Sequence, residues 1–179
     1  MSFFSPGPAP PLASDAGLLE QPALRLPCGG AAGAIARADS GAAVGAARWR
    51  WARRPWWRRF GRAVLAVHER QGAADEPLVF TVRRCWSLLA WREVRDAEGL
   101  PVGLLLGPRV LNRFGRQVAA LDREGGTSAF RAPDGRVLAR LSAAEGGVRV
   151  AFEAEVVNEP FVKMLLLAAA LFSPGEPAA

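Results

Sequence analysis

Short runs in which apolar and polar residues alternate recur along residues 24–157. Residues 79–83, 91–95 and 148–153 are examples, reading Val-Phe-Thr-Val-Arg, Trp-Arg-Glu-Val-Arg and Val-Arg-Val-Ala-Phe-Glu. A period of two residues is typical of a β-strand that turns one face to a core and the other to solvent. The pattern therefore predicts many short strands across most of the chain.

The predicted strands are separated by a recurring combination of aspartate and glycine. It occurs at Asp39–Gly41, Asp96–Gly99, Asp122–Gly125 and Asp134–Gly135. An aspartate side chain accepts hydrogen bonds from the turn backbone, and glycine adopts the positive φ that closes a tight hairpin. Hairpins between successive strands predict an antiparallel meander, curled or closed so that its edge strands are not left exposed.

The segment Phe161–Phe172 breaks this pattern, because it is apolar on every side except at Lys163. Pro160 suits the first turn of a helix, and Asn158 is placed to act as its N-cap. At about three turns, the segment is shorter than the ~18 apolar residues that a membrane-spanning helix needs. A helix without a polar face is buried on all sides, so we expect this segment to be a helix in the protein core.

A chain of 179 residues fits a single domain. Residues 1–23 include a Pro-rich stretch, Ser2–Pro11, and we expect a disordered lead there. The domain is expected to cover residues 24–172, with a disordered tail at 173–179. The first residues lack the basic start and long apolar run of a signal peptide, so we expect a cytoplasmic protein.

Three features together resemble a known superfamily. They are the Asp-x-x-Gly-x-x-Val-Gly hairpin at Asp96–Gly103, the turn at Asp134–Leu138, and the ending that runs from Pro160 to Leu171. Over Leu24–Phe172 the chain resembles the tubby-like superfamily, in its phospholipid-scramblase-related and LURP-one-related branch. The resemblance implies a mainly β fold, a closed antiparallel β-barrel of about twelve strands around the C-terminal helix. It also implies a non-enzymatic, lipid-related role.

The chain departs from the eukaryotic scramblases in ways that limit this resemblance. Those proteins place an acidic calcium-binding segment before the final helix. The matching stretch here, Glu153–Glu159, has too few oxygen ligands at loop spacing for a calcium site. The scramblases' longer Pro-rich tail and palmitoylated cysteine run have no counterpart. Calcium-activated lipid scrambling is therefore not expected.

The charge of the chain is informative only where it clusters. The net charge is +6, which favours anionic partners. However, Lys163 is the only lysine and tyrosine is absent. Together with many alanines and glycines, this composition also matches the codon bias of a GC-rich genome. The local clustering of arginine therefore carries more weight than the overall charge.

One stretch, residues 48–62, combines arginine and tryptophan densely. Arginine offers planar donors to phosphate, and tryptophan prefers the headgroup layer of a bilayer. We therefore predict that this stretch binds an anionic phospholipid surface, with shallow insertion of Trp56 and Trp57. The candidate lipid-binding residues are Arg48, Arg50, Arg53, Arg54, Trp56, Trp57, Arg58, Arg59 and Arg62.

Two other interpretations of the same stretch stay open. Single-stranded nucleic acid is one, since bases stack on indole rings while guanidinium groups contact phosphates. A purely structural or protein-interaction role is the other. In that case Arg48–Trp51 would be a strand with tryptophans inward and arginines outward, and Arg53–Arg59 a hairpin loop broken at Pro55.

Catalytic and metal-binding patterns are missing from the sequence. His68 is the only histidine, and no Gly-x-Ser-x-Gly elbow accompanies it. Cys28 and Cys85 are too far apart to suggest a disulfide framework or a metal knuckle. The alternation around Glu153 and Glu155 predicts a solvated strand face. We expect no enzymatic activity, no cofactor and no bound metal.

Overall fold

The structure is a computed structural model, and it describes residues 17–51, 63–70, 76–85, 91–124 and 127–173. A 3₁₀ turn at Leu18–Glu20 precedes twelve strands and two helices. The strands are β1 Ala23–Pro27, β2 Gly33–Arg37, β3 Ala43–Trp51, β4 Ala63–Glu69, β5 Leu78–Arg84, β6 Trp91–Asp96, β7 Pro101–Leu106, β8 Arg109–Asn112, β9 Gln117–Glu124, β10 Thr127–Arg131, β11 Val137–Ala144 and β12 Gly147–Phe152. The helices are α1 Ala154–Val157 and α2 Pro160–Leu171.

The strands form a closed barrel in which each strand pairs antiparallel with the next one along the chain. The ring is closed by β1 and β12, whose register matches Ala23 with Ala151 and Pro27 with Gly147. Closure leaves no unpaired strand edge. The predicted mainly β fold, a closed twelve-stranded antiparallel barrel with a C-terminal helix, is confirmed.

Helix α2 packs inside the ring of strands, against β1, β7, β8 and β12. Its residues from Lys163 to Ala168, together with Ala170 and Leu171, are buried. The helix approaches β7 closely at Gly103, where an added Cβ would lie 2.9 Å from Leu165 Cδ2 and 2.1 Å from the Leu111 carbonyl oxygen. A side chain at this position would therefore push the helix or the neighbouring strand aside.

The start of α2 differs from the sequence-based prediction. Pro160 occupies the first turn as expected, but Glu159 is the N-cap residue. Asn158 instead ends the preceding helix α1, with its backbone N–H donating to the Val156 carbonyl oxygen. The predicted Asn158 cap is therefore wrong, because the chain makes a separate short helix between β12 and α2.

Three of the predicted Asp–Gly turns are confirmed by glycines at positive φ, 70° at Gly41, 81° at Gly99 and 88° at Gly135. The turn predicted at Asp122–Gly125 begins later than expected, since Asp122 lies within β9 and pairs with Ala129 of β10. Glu124 still pairs with Thr127, and Gly125 lies outside the described residues. The Asp122 carboxylate accepts a hydrogen bond of 2.8 Å from Arg131 Nε. This cross-strand ion pair holds Asp122 in the sheet, so β9 continues to residue 124.

The predicted strand face carrying Glu153 and Glu155 is also wrong. Strand β12 ends at Phe152, and Glu153 is the N-cap residue of α1. Glu155 lies in the first turn of this helix, where an acidic side chain interacts favourably with the helix dipole. The two carboxylates consequently do not share a strand face.

The two ends of the barrel are distinct. We call the end at which α2 begins the base; the 3₁₀ turn Leu18–Glu20 and helix α1 lie there. We call the end at which α2 finishes the mouth, marked by Trp49, Arg92 and Phe172. Because the strands form a meander, β3, β5, β7 and β9 end at the mouth, and β4, β6, β8 and β10 begin there.

Candidate functional site

Trp49 belongs to the Arg/Trp stretch at residues 48–62, and the structure describes its side chain at the mouth. It pairs in register with Leu65, which is fully buried, so both side chains lie on the inward side of the wall. The Trp49 indole Nε1 donates to the Gly30 carbonyl oxygen at 2.9 Å. Its ring meets Phe172 edge-on with centroids 6.4 Å apart. Trp49 nevertheless remains 45% exposed, because the barrel opens at this level.

Two of the predicted lipid-binding arginines are described, and both lie on β3. Arg48 forms an ion pair of 2.8 Å with Glu76, and Arg50 is exposed. The other seven candidates lie outside the described residues: Arg53, Arg54, Trp56, Trp57, Arg58, Arg59 and Arg62. The strand ends that bracket them, Trp51 and Ala63, pair with each other at the mouth.

A cavity of about 440 Å³ opens at the mouth, between the end of α2 and the strands β6, β7, β9 and β10. Its walls combine apolar side chains with two arginines. The lining residues are Arg92, Leu105, Gly107, Pro108, Leu121, Arg123, Phe130, Ala169, Phe172 and Ser173.

Strand register explains why arginines reach this cavity. Arg92 pairs with Leu105, which is 3% exposed. Arg123 lies two residues beyond Leu121 on β9, and Leu121 pairs with buried Phe130. Residues two apart on a strand share a face, so the inward face of the wall is apolar within the barrel and becomes basic at its rim.

A third arginine, Arg84, adjoins Arg92. The two are cross-strand partners between β5 and β6, an arrangement in which like charges repel. Arg84 follows inward-facing Phe80 and Val82 at a spacing of two. We call Arg84, Arg92 and Arg123 the rim arginines.

The rim arginines are positively charged and have no carboxylate partner among the described residues. Burial lowers the pKa of Arg92, and the charge of Arg84 lowers it further. Within the described part of the chain, the arginines in ion pairs are Arg48, Arg83, Arg95, Arg131, Arg136 and Arg140. No rim arginine forms an ion pair with a residue that the structure describes. The Arg92 guanidinium instead lies 4.3 Å from the centroid of the Phe172 ring.

Sequence analysis missed the rim arginines because they are distant in the chain and form no motif. A weak signal was present. Phe80, Val82 and Arg84 are two residues apart and share the inward face of β5. The first two are apolar, and the third, at the strand end, is an arginine. Reading the alternation through to each strand end would have marked Arg84 as an inward-facing rim residue.

The base of the barrel is closed by contrast. Leu18 is fully buried there, and its backbone N–H donates to the Glu69 carboxylate. Lys163, also fully buried, donates from Nζ to the Gln21 carbonyl oxygen at 2.5 Å. Burial lowers the pKa of Lys163 to about 8, although the charge of Glu20 opposes this shift.

A second depression, of about 500 Å³, lies on the outer wall across β5, β6 and β7. It is lined in part by Trp91, Leu104 and Cys85. Its Arg83 and Glu93 form an ion pair with each other. Glu93 thus compensates Arg83 within the wall, whereas Arg113, which also lines the depression, forms no ion pair with a described residue.

His68 and the cysteines do not assemble into a site. The His68 Nδ1 lies 2.9 Å from the Glu76 carbonyl oxygen, and its buried Nε2 has no hydrogen-bond partner among the described residues. Cys28 and Cys85 are free, half-buried thiols. Among residues placed by the structure, no three histidine, cysteine or carboxylate side chains are grouped to hold a metal ion.

No family model, curated protein or solved structure matches this chain. The resemblance to the tubby-like superfamily therefore stays a prediction. In the described ranges, no helix combines the length and apolar character needed to cross a membrane. The geometry and charge of the mouth are consequently the basis for assigning a function.

Proposed function

We propose that the protein is a non-enzymatic module that binds anionic phospholipid surfaces through the mouth of its barrel. The observation that carries the proposal is the coincidence of three features at one end. The rim arginines, which have no ion pair with any described residue, lie there, and so does Trp49, which is partly exposed. Trp51 and Ala63, which bracket residues 52–62, lie there as well. The two strand ends that bracket the predicted Arg/Trp segment therefore lie at the same end of the barrel as the rim arginines.

The distribution of carboxylates supports this orientation. Most carboxylates of the described residues lie at the base or in its turns: Glu20, Asp39, Glu69, Glu76, Asp96, Glu98, Asp134, Glu153, Glu155 and Glu159. Glu145 lies in a turn at the mouth, and Glu93 and Asp122, each one residue from a rim arginine in sequence, are held in ion pairs with arginines of the wall. Arginines also lie at the base, among them Arg70, Arg113, Arg116 and Arg136, but the carboxylates there outnumber them, and an asymmetry of this sign draws the mouth toward a negative surface.

The energetics is sufficient for reversible surface binding. Each basic side chain near anionic headgroups contributes about 1 kcal/mol, and the attraction decays within a Debye length. Indole rings add binding at the headgroup level. Trp49 is placed to contribute this way, and insertion of Trp56 and Trp57 is part of the proposal.

Co-sedimentation with liposomes tests the proposal. Binding of the full chain should rise with the fraction of anionic lipid and fall with salt. Replacing Arg53, Arg54, Arg58 and Arg59 together by alanine should weaken it at least tenfold. The matched control replaces four arginines of the base and its turns by alanine, with the same loss of charge: Arg70, Arg113, Arg116 and Arg136.

The control variant should bind as the wild type does. Equal loss in both variants would show that only net charge matters, and the proposal would fail. Nucleic acid is a competing outcome of the same design. If single-stranded oligonucleotide binds with a steep salt dependence while anionic vesicles do not bind, the Arg/Trp segment is a nucleic-acid interface instead.

A further inference from the structure

We propose that the mouth cavity is a binding site for one small amphiphile, which carries a carboxylate or phosphate head and an apolar tail. The head would lie against Arg92 and Arg123, and the tail between Leu121, Phe130 and Phe172. This site lies within the mouth, so Arg92 and Arg123 are shared with the proposed membrane-facing surface, but its ligand is one molecule taken from solution.

The first argument is the shape and layering of the cavity. A volume of about 440 Å³ is within the range of small-molecule sites, which are mostly apolar with a few converging polar groups. The register of β9 and β10 places Leu121 opposite Phe130, with Arg123 one step nearer the rim. An entering molecule therefore meets charge first and hydrocarbon below it, which is the polarity of an amphiphile.

The second argument is the unmatched charge. Arg92 is half-buried and adjoins Arg84, and neither has a carboxylate partner among the described residues. Burying a cation without a counter-ion is costly, and a bound anion removes that cost. Guanidinium groups also present paired N–H donors that match the geometry of carboxylate and phosphate oxygens.

A structural role explains only part of this arrangement. Arg92 stacks on Phe172 at the C-terminal end of α2, where a cation is favoured by the helix dipole. That role requires one arginine. It does not explain a second cation beside it at Arg84, nor Arg123 on the wall of the same cavity.

The end of the helix does not bar an anion from the cavity. Its last carbonyl oxygens already accept hydrogen bonds, which reduces their exposed negative charge. The Leu171 oxygen accepts from the Gly30 N–H, the Ala170 oxygen from the Ser173 N–H, and the Ala169 oxygen from the Phe172 N–H and the Ser173 hydroxyl.

Isothermal titration of the full chain without vesicles tests the site. The probes are octanoate, octyl phosphate, octanol and inorganic phosphate, each below its aggregation threshold. Octanoate and octyl phosphate should bind, and the tighter of the two identifies the head group. Octanol and inorganic phosphate should bind at least tenfold more weakly. Among shorter carboxylates, affinity should rise about fourfold for each added methylene until the cavity is full.

Three variants assign the contact. Arg92→Gln and Arg123→Gln should each weaken octanoate binding about tenfold or more, the loss expected for a hydrogen bond to a charged group. Arg109→Gln is the matched control, because Arg109 lies on β8 nearby but is exposed and pairs with Leu106. It should leave affinity within twofold of the wild type. Thermal unfolding checks each fold, and exposed Arg123 supplies the test if Arg92→Gln does not fold.

The site is disproved if neither octanoate nor octyl phosphate binds at millimolar concentration, if octanol binds as tightly as the tighter of the two, or if Arg109→Gln weakens binding as much as Arg123→Gln. Equal binding of inorganic phosphate and octyl phosphate would also contradict it, since the apolar wall would then contribute nothing. None of these results depends on vesicle binding, so this site and the proposed membrane function can fail independently.

Discussion

Each end of the barrel has a cation at helix α2, and the two cations differ in their surroundings. At the base, Lys163 is fully buried and donates to the Gln21 carbonyl oxygen beneath a seal that includes Leu18. At the mouth, Arg92 borders an open cavity and stacks on Phe172. A sealed cation with protein partners serves the fold, whereas an open cation without an anionic partner is available to a ligand.

The largest effect should come from removing the element that joins the two ends. Truncation after Pro160 deletes the buried part of α2, and the inward faces of the strands would then surround an empty interior. We expect no soluble folded product, as measured by soluble expression and circular dichroism. Truncation after Ser173, which keeps all of α2, is the control and should retain the fold. A folded barrel without α2 would contradict this account of the core.

The seal of the base should be the next most sensitive feature. Leu18→Ala removes a fully buried side chain at this end and should lower the free energy of unfolding by about 2–5 kcal/mol. Leu100→Ala is the control at the same end, because Leu100 is 62% exposed. It should change stability by less than about 0.5 kcal/mol. Urea denaturation measures both, and equal losses would show that the base is not sealed by Leu18.

Lys163 makes stability depend on alkaline pH. Its pKa is about 8 in the folded chain against the usual 10.5 of a lysine in water, so between these values the unfolded chain holds more protons. The free energy of unfolding should therefore rise with pH across this window, by on the order of 3 kcal/mol in total. The protonated form is the one that burial penalises, so this gain is absent below pH 8.

Urea denaturation of the wild type and Lys163→Met between pH 7.5 and 10.5 isolates this contribution. Thiol titration is common to both chains and cancels in the difference, and no other lysine or tyrosine is present. The free energy of unfolding of the wild type relative to that of Lys163→Met should rise as the pH increases from 8 to 10.5. A constant difference would mean that Lys163 titrates normally in the folded protein.

The smallest effect concerns repulsion at the mouth. Arg84→Gln removes one member of the like-charged cross-strand pair with Arg92, and should raise stability by roughly 0.2–1 kcal/mol at low salt. High salt should diminish the gain. Arg131→Gln is the contrasting variant, since it breaks the ion pair with Asp122 and should give no gain. Thermal unfolding at two salt concentrations distinguishes them.

Much of the fold follows from local sequence. Two-residue alternation, the turn residues and the apolar ending at Phe161–Phe172 predicted strands, hairpins and a core helix. The errors lie where a tertiary contact prevails over local preference. The Asp122 carboxylate pairs with Arg131 across the sheet instead of making a turn. Asn158 ends helix α1, which is only four residues long and is too short for a sequence pattern to predict.

The candidate site was less accessible to sequence reasoning than the fold. The dense Arg/Trp stretch attracts notice because its residues are adjacent. Of this stretch, the structure describes only the side chains of Arg48, Trp49 and Arg50. The rim arginines are contributed by three strands and converge only when the barrel closes. Their significance depends on the absence of partners, which no local pattern encodes.

The central claim is that the mouth, and not the base, meets an anionic surface. A fluorophore sensitive to quenching can be attached at Ala31→Cys, in the mouth turn between β1 and β2, or at Ala97→Cys, in a base turn. Both alanines are exposed, and Cys28→Ser with Cys85→Ser provides the background. On anionic vesicles containing brominated lipid, the label at position 31 should be quenched and the label at position 97 should not. Quenching at position 97 alone, or at neither position, would contradict the account.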